Sequence, residues 1–452
     1  MRVSHAVVAA FDDPNLVSCA GLVPVLRLAE KAGLQRLVAE HVRIERPGGV
    51  NAQVKVPGLV AGMVAGADSI DDMALLRHGG MARLFDGVRA PSTLGTFLRA
   101  FTFGHVRQLD AVASRLLIGL AGQVPLLPGA SELTYIDVDD TVRQTYGYAK
   151  QGAGRGYTGT KGLNALLAVV STPSSAPVIA AARLRKGSTN SSRGAARLVA
   201  DALVTATAAG ATGVRVLRAD SAFYGHEVIA AALRHHSCFS ITARQDRAVR
   251  KAITTIGDDA WTTIKYTNAV FDEDQQRWIS DAQVAEVTYT AFTSKPKAKH
   301  VTARLIVRRV KDLNPHHQSE LFTAYRYHAV FTNSPLPMLA AERAHRKHAI
   351  VEQVIADLKN GPLAHLPSGN FWANSAWLVA ATMAFNLTRA AGALASVIHA
   401  KATTATIRAQ LINIPARLAR SARRLTMHLP DAWPWEQAWQ KLVTGTSPPT
   451  TA

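Results

Sequence analysis

Two cysteines in 452 residues are too few for a disulfide framework. Cys19 and Cys238 stand far apart and no Cys-x-x-Cys occurs, which excludes a thiolate zinc site; both are expected as reduced core residues. Long uninterrupted apolar runs are missing as well. The stretch Leu163–Leu184 is broken by Pro173 and Pro177, and Ala376–Ala400 contains Asn386, Arg389 and His399. Neither reads as a bilayer span, and both are expected to be buried core elements. The N-terminus has no basic, then apolar, then small-residue leader, so a cytoplasmic protein without a membrane partner is expected. Acids are scarce too: 32 Asp and Glu face 51 Lys and Arg, a net charge of +19, with a pI near 10.3. Such an excess favours polyphosphate partners and makes nucleic acid the expected one. It is most one-sided between Lys359 and Pro430, where no acid occurs while Lys359, Arg389, Lys401, Arg408, Arg417, Arg420, Arg423 and Arg424 do. A tract of one sign and that length is expected to neutralise phosphates along a duplex.

What is present is a 48% hydrophobic chain, long enough for a large core and for about three domains by length alone. Residues 1–128 carry helical periodicity over Leu22–Val42, Gly58–Ala65, Ser69–Arg77 and Thr93–Ala121 and predict a helical N-terminal domain that binds DNA. Pro125 and Pro128 mark a break before the first strong strand, Leu133–Asp139. Over 129–244 strands at Ala165–Ser171, Pro177–Leu184, Gly213–Ala219 and Cys238–Thr242 are interleaved with helices at Ser192–Ala209 and His226–His235. That order predicts a three-layer α/β core with a mixed sheet. Residues 245–335 turn β-branched and aromatic, in Trp261–Tyr266, Val284–Phe292, Val301–Val310 and Phe322–Thr332, and predict a β-rich insertion. The core is expected to resume over 336–395 with one long amphipathic helix, Ala340–Lys359, and an apolar helix, Phe371–Ala393. Residues 396–452 read as a basic helical region ending in a flexible tail.

The chemistry is expected in the acids. Along Tyr135-Ile-Asp137-Val-Asp139-Asp140-Thr141 the two-residue period of a strand puts Asp137 and Asp139 on one face and Asp140 on the other. Carboxylates about 4 Å apart repel by about 4 kcal/mol at an effective dielectric near 20, so such a cluster calls for a cation or a proton. Asp220 closes the strand Gly213–Ala219, at the strand end where α/β folds place ligands, although the same position suits a helix cap before His226. Glu352 lies in His345-Arg-Lys-His348-Ala-Ile-Val-Glu352. At 100° per residue His345, His348, Glu352 and Lys359 fall within an arc of roughly 60°, beside an apolar stripe of Ile350, Val351, Val354, Ile355 and Leu358. An ordinary solvated Glu and Lys would look the same in isolation. Acid on a first strand, acid after a later strand and acid on a helix beyond an insertion is a more specific combination. Three carboxylates can hold two Mg²⁺ for an in-line phosphoryl displacement.

Other motifs carry less. Gly154, Gly156 and Gly159 form a formal Gly-x-Gly-x-x-Gly, but they precede a strand rather than open a helix, and Lys161 stands too close for a phosphate loop. A tight connection with Arg155 and Lys161 near DNA is the expectation there. His345, His348 and Glu352 lack the His-Glu-x-x-His spacing of a zinc protease, and no Gly-x-Ser-x-Gly elbow surrounds Ser221.

Four segments together resemble the DDE transposases of bacterial insertion sequences, in particular the insertion-sequence family called thirteen-eighty within the group related to insertion sequence four. They are Ile136-Asp-Val-Asp139-Asp-Thr141, Gly152-Ala-Gly-Arg-Gly156-Tyr157-Thr-Gly159-Thr-Lys161-Gly-Leu163, Arg218-Ala-Asp220-Ser-Ala-Phe223-Tyr224 and Glu352-Gln-Val-Ile-Ala-Asp-Leu-Lys359-Asn-Gly361. The resemblance spans most of the chain. It implies an RNase H-like core with a β insertion before the glutamate helix, and catalytic, metal-holding Asp139, Asp220 and Glu352 with Mg²⁺, which Mn²⁺ can replace. It further implies binding to terminal inverted repeats and target DNA as a homodimer in the synaptic complex, in a bacterial, nucleoid-associated protein. The family pattern favours Asp139, with Thr141 as companion, over Asp137; Asp137 and Thr141 are kept as accessory candidates. Where the wider group has Tyr and Arg before the glutamate, this chain has His345 and His348; with Arg155, Lys161 and Lys359 these are the expected DNA contacts. An RNase H-like nuclease without strand transfer and a catalytically inactive DNA-binding derivative stay open as alternatives.

Overall fold

The computed structural model describes residues 5–147, 149–156, 159–311, 325–422 and 424–447. Tyr157 and Arg423, named above, lie outside the described residues, as does most of the expected tail. The chain forms two compact units. One comprises Met1–Leu126, Ala149–Gln151 and Asp357–Ala452, the other Leu127–Tyr148 and Gly152–Ala356.

The first unit begins with helices α1 (Leu22–Lys31), α2 (Leu34–His41), α3 (Ala52–Ala65), α4 (Pro91–Arg99) and α5 (Phe103–Gln123). Two expected helices prove to be broken. Gly33, at φ +87°, turns the chain between α1 and α2, a conformation that side chains with a Cβ resist. Thr102 starts α5 afresh with a capping box, its side chain bonded to the His105 backbone N–H while His105 Nδ1 accepts from Thr102 N at 3.2 Å.

The second unit is built on one sheet. Strands β1 (Leu133–Gln144), β2 (Lys161–Ser171) and β3 (Val178–Lys186) lead to helix α6 (Ala195–Ala208), then β4 (Val214–Ala219), α7 (His226–Arg234), β5 (Cys238–Thr242) and α8 (Arg247–Ile253). β1 pairs antiparallel with β2 and parallel with β4, and β4 pairs parallel with β5. With β3 antiparallel on β2, the order is β3-β2-β1-β4-β5, the arrangement of an RNase H-like core. β2 is apolar and buried along nearly its full length, as befits a strand covered on both faces.

The segment expected as a separate insertion domain instead prolongs this sheet. β6 (Ala282–Ala291), β7 (Val301–Lys311) and β8 (Tyr325–Thr332) form a meander whose last strand pairs antiparallel with β5, Val330–Thr332 against Thr242–Ser240. Among the described residues ten strands share one sheet. Phe331 sits at the junction, its ring 5.2 Å from Phe239, 6.2 Å from Tyr224 and 5.7 Å from Tyr289. These aromatic faces would be left in water if the strands were a free-standing module.

The long helix expected over Ala340–Lys359 is two helices, α9 (Met338–Arg346) and α10 (Ile350–Lys359), joined by a 3₁₀ turn at Lys347–Ala349. The sheet's unit ends at Ala356 within α10. Helix α11 (Phe371–Ala395), expected as part of the core, belongs to the first unit, where it packs against α3, α5 and α12 (Glu436–Thr446). Its composition would let it cross a membrane, but it is buried along almost its whole length, and a helix apolar on every side needs a partner all round rather than one sheet face.

The C-terminal region is not wholly helical: Ala416–Ser421 and Arg424–His428 form a hairpin that also pairs with Leu16–Val17. Nor is its cationic tract one exposed stripe. Arg389 is 5% exposed and donates to the carbonyls of Ala400 and Ala402. Arg408 donates to Val64 O at 3.2 Å, and Arg417 pairs with Asp13 at 3.0 Å. Arg389 and Arg408 serve the fold, because a guanidinium withdrawn from water must direct its donors to carbonyls or an acid, while Arg417 forms a surface ion pair.

Candidate active site

The register of the central parallel pair places the first two acids side by side. Val138 is opposite Ala219 in the β1–β4 ladder, so Asp139 and Asp220 each follow the last registered pair; Asp220 lies just past the end of β4, whereas β1, expected to stop at Asp139, runs on to Gln144 paired with β2 and holds Asp139 within the strand. They line one open cleft of about 530 Å³ with Asp140, Arg155, Gly156, Ser188–Ser191, Ala222 and Arg244. Asp139 is half-buried and its Oδ1 accepts the Asp140 backbone N–H at 2.7 Å. Asp220 is exposed and accepts from Ala222 N at 2.9 Å. It does cap, but it caps the turn Ser221–Phe223 rather than α7. Burial, reinforced by the Asp220 and Asp140 charges, pushes the Asp139 carboxyl up to about 6 against the backbone hydrogen bond and His348. An acid held that high is one whose negative charge lacks compensation.

Asp140 points to the other face and is fully engaged. Its Oδ2 accepts from Arg185 and from Asn164 Nδ2 at 2.7 Å, and its Oδ1 accepts from Ser191 Oγ at 3.2 Å. Arg185 also donates to the carbonyls of Ser191 at 2.7 Å and Arg193 at 2.8 Å. That network pins the loop forming one wall of the cleft. Arg244, which also lines the cleft, donates to Ser221 O at 3.0 Å.

Asp137 is buried outright, and its charge is already answered. Arg218, 2% exposed, grips it with Nε on Oδ1 at 2.7 Å and Nη2 on Oδ2 at 2.6 Å, and stacks 3.9 Å above the Tyr135 ring. His348 Nδ1 lies 2.8 Å from the same Oδ1. With both oxygens occupied, Asp137 is a structural ion pair and not an accessory metal ligand. His345 is likewise no DNA contact: at 9% exposure its Nδ1 meets Ser240 Oγ and its Nε2 meets Thr242 Oγ1, both at 2.9 Å. Burial holds its ring down to about 3, the neutral form.

Glu352 is exposed in the first turn of α10 and does not line the cleft. Among the described residues no three His, Cys, Asp or Glu stand close enough to hold a metal ion. The residues therefore fit a divalent cation in part: Asp139 and Asp220 offer two hard oxygen donors to one cleft, and a cation there would relieve the uncompensated charge on Asp139. Of the remaining expected residues, Thr141 is buried on β1, Arg155 lines the cleft with Nη1 on Gly159 O at 2.7 Å, and Lys161 reaches Gly147 O at 3.3 Å. Lys359 falls in the other compact unit.

The sequence model of the family described as transposase DDE domain group 1 matches residues 2–447. The chain belongs to this family of DDE transposases. A search of curated proteins finds no match. Among solved structures the transposase is similar to the cryo-EM structure of a piggyBac transposase synaptic complex with hairpin DNA, at 8% identity and a TM-score of 0.40, over 97% of this chain and 82% of that one. At that distance nothing about this transposase is taken from it.

Sequence reasoning missed Arg218, Arg185, Asn164 and Arg244. Arg218 stands two residues before Asp220 and directly opposite Asp137 in the β1–β4 register, so pairing the strands by hand would have found it. Asn164 and Arg185 are a cross-strand pair of β2 and β3 whose shared partner Asp140 lies on a third strand, and Arg244 lies in a loop that carries no periodic signal.

Proposed function

We propose that this transposase catalyses divalent-metal-dependent cleavage of DNA at terminal inverted repeats and joins the freed 3′ ends to target DNA, acting as a homodimer on paired ends. One observation carries the reading: Asp139, where β1 outruns its parallel neighbour β4, and Asp220, just past the end of β4, share a cleft, in a chain of the DDE family. Asp139, Asp220 and Glu352 would hold Mg²⁺, or Mn²⁺ in its place. Bound there, such cations supply Lewis-acid activation of the attacking oxygen and of the leaving oxygen.

The chain's own groups account for the rest. Arg155 and Arg244 border the cleft and attract backbone phosphates, as the +19 net charge does at longer range. Ser188, Thr189 and Asn190 offer hydroxyl and amide groups along the same wall. Arg185, through Asp140 and the loop carbonyls, keeps that wall in place.

The test is cleavage of a labelled duplex carrying the terminal repeat that flanks the coding sequence, with Mg²⁺ and a target plasmid. Asp139→Asn, Asp220→Asn and Glu352→Gln are expected to keep end binding and lose cutting. Cutting without joining would make the protein a nuclease, and binding without cutting an inactive derivative. Full cleavage by any one variant would remove that residue from the site.

A further inference from the structure

The break between α9 and α10 is held by three strands of the core at once. From β4, Arg218 Nη1 donates to Ala344 O at 2.5 Å. From β1, Asp137 Oδ1 meets His348 Nδ1 at 2.8 Å. From β5, Ser240 and Thr242 bracket both ring nitrogens of His345 at 2.9 Å. The two imidazoles lie 6.4 Å apart with their planes 24° from parallel. A fourth anchor holds α9: Glu342, 3% exposed, accepts from Arg308 of β7 at 2.6 Å and from Arg346 at 3.0 Å.

Polar clamps in a buried place are a costly way to hold a helix that apolar packing alone could seat; what they add is a unique position. Here they fix a change of direction. A 3₁₀ turn advances about 120° per residue against about 100° in an α-helix, so three such residues rotate the faces of α10 by roughly 60° relative to an unbroken helix. The first acid after the turn, four residues beyond His348, is Glu352.

We propose that Asp137, Arg218, His345 and His348 form a clasp that positions Glu352 relative to Asp139 and Asp220. In this arrangement Asp137 and His348 are positioning residues, neither ligands nor DNA contacts. The inference rests on the catalytic reading above: Glu352 lies outside the cleft in this structure, and the clasp fixes the start of α10 from which it would join Asp139 and Asp220 on a bound cation. His348 acts through Asp137 of β1, the strand that carries Asp139 two residues on. A shift of the helix break therefore moves Glu352 and leaves the two aspartates where they are.

The test measures metal binding apart from catalysis. Mn²⁺ affinity of the full chain without DNA is read from the free-ion paramagnetic resonance signal, beside end-duplex affinity and the Mg²⁺ dependence of cleavage. His348→Ala is expected to weaken Mn²⁺ binding about tenfold, the lower end of what loss of an outer-shell partner does. The Mg²⁺ concentration for half-maximal cleavage should rise by a similar factor, with end-duplex affinity unchanged. His348→Gln, whose amide can donate to Asp137, is expected to restore most of both. Should His348→Ala fail to fold, Thr242→Val releases one nitrogen of His345 and is expected to move the same readouts in the same direction. Unchanged Mn²⁺ affinity in the variants, or lost end binding with metal affinity intact, overturns the clasp. If the wild type neither binds Mn²⁺ nor cuts, the catalytic reading itself falls and takes the positioning role with it.

Discussion

Removing the Asp137 carboxylate should be among the most damaging single changes in the sheet unit. Arg218 would be left 2% exposed with its charge unanswered, and breaking a buried ion pair from one side costs about 3–5 kcal/mol. For a unit on the order of 200 residues that corresponds to a fall of roughly 6–20 °C in the thermal midpoint. The informative experiment is a double-mutant cycle by urea denaturation at pH 7 without metal, using Asp137→Leu, Arg218→Met and the pair. Each single variant is expected to lose about 3–5 kcal/mol, because each strands one buried charge. The double variant strands neither, so it should lose clearly less than the sum, with a coupling of about 2 kcal/mol or more. Additive losses, or a loss below about 1 kcal/mol for Asp137→Leu, would refute the claim that the pair is buried and mutually compensating.

Three further outcomes are expected. Because the folded protein holds the Asp139 proton to about pH 6, stability of the metal-free protein should fall as pH rises from about 4 to about 6 and stay lower above. Asp139→Asn removes that fall, so in chelator at pH 7.5 it should be more stable than wild type by roughly 1–3 kcal/mol; a destabilised variant would contradict the uncompensated charge. His345 behaves oppositely: with its ring held neutral down to about 3, folding loses stability as pH drops below the ordinary value of 6.5. Urea midpoints of His345→Gln should accordingly vary less between pH 6.5 and 4.5 than those of wild type. Finally, Arg185→Met should free the wall of the cleft, seen as amide hydrogen exchange across Gly187–Gly194 faster by about tenfold or more; unchanged protection would show that other contacts hold the loop.

Much of the core was legible because its signals are local. β1, β2, β4 and β5 follow from apolar runs bounded by turns, and Asp139 and Asp220 stood out as carboxylates on or just past apolar strands, although β1 runs beyond Asp139 to Gln144. What periodicity could not supply was phase. An unbroken 100° count placed His345 on one edge with Glu352, but nothing in Arg346-Lys-His348-Ala marks a 3₁₀ turn, and the break sends His345 inward to Ser240 and Thr242. Charge misled in a similar way. Arg389 and Arg408 look like phosphate ligands in a tract free of acids, yet their partners are backbone carbonyls, those of Ala400 and Ala402 beyond the end of the same helix and that of Val64 far away in sequence. The α11 boundary failed because apolarity reports burial without naming the partner. The shared strand face of Asp137 and Asp139 was visible, but the opposite fates of the two acids depend on Arg218, which meets only the first.

The meander β6–β8 has a consequence for how far this protein can be trimmed. β5 is not the last strand of a self-contained core: Ser240–Thr242 already pair along their ladder with Val330–Thr332. Excising the meander to obtain a minimal nuclease would expose a row of unsatisfied backbone donors and acceptors beside bare aromatic rings, the template on which chains join edge to edge. The segment that reads as an optional addition is thus a seal, and a shortened protein lacking it is expected to associate with its own copies before it can act on anything else.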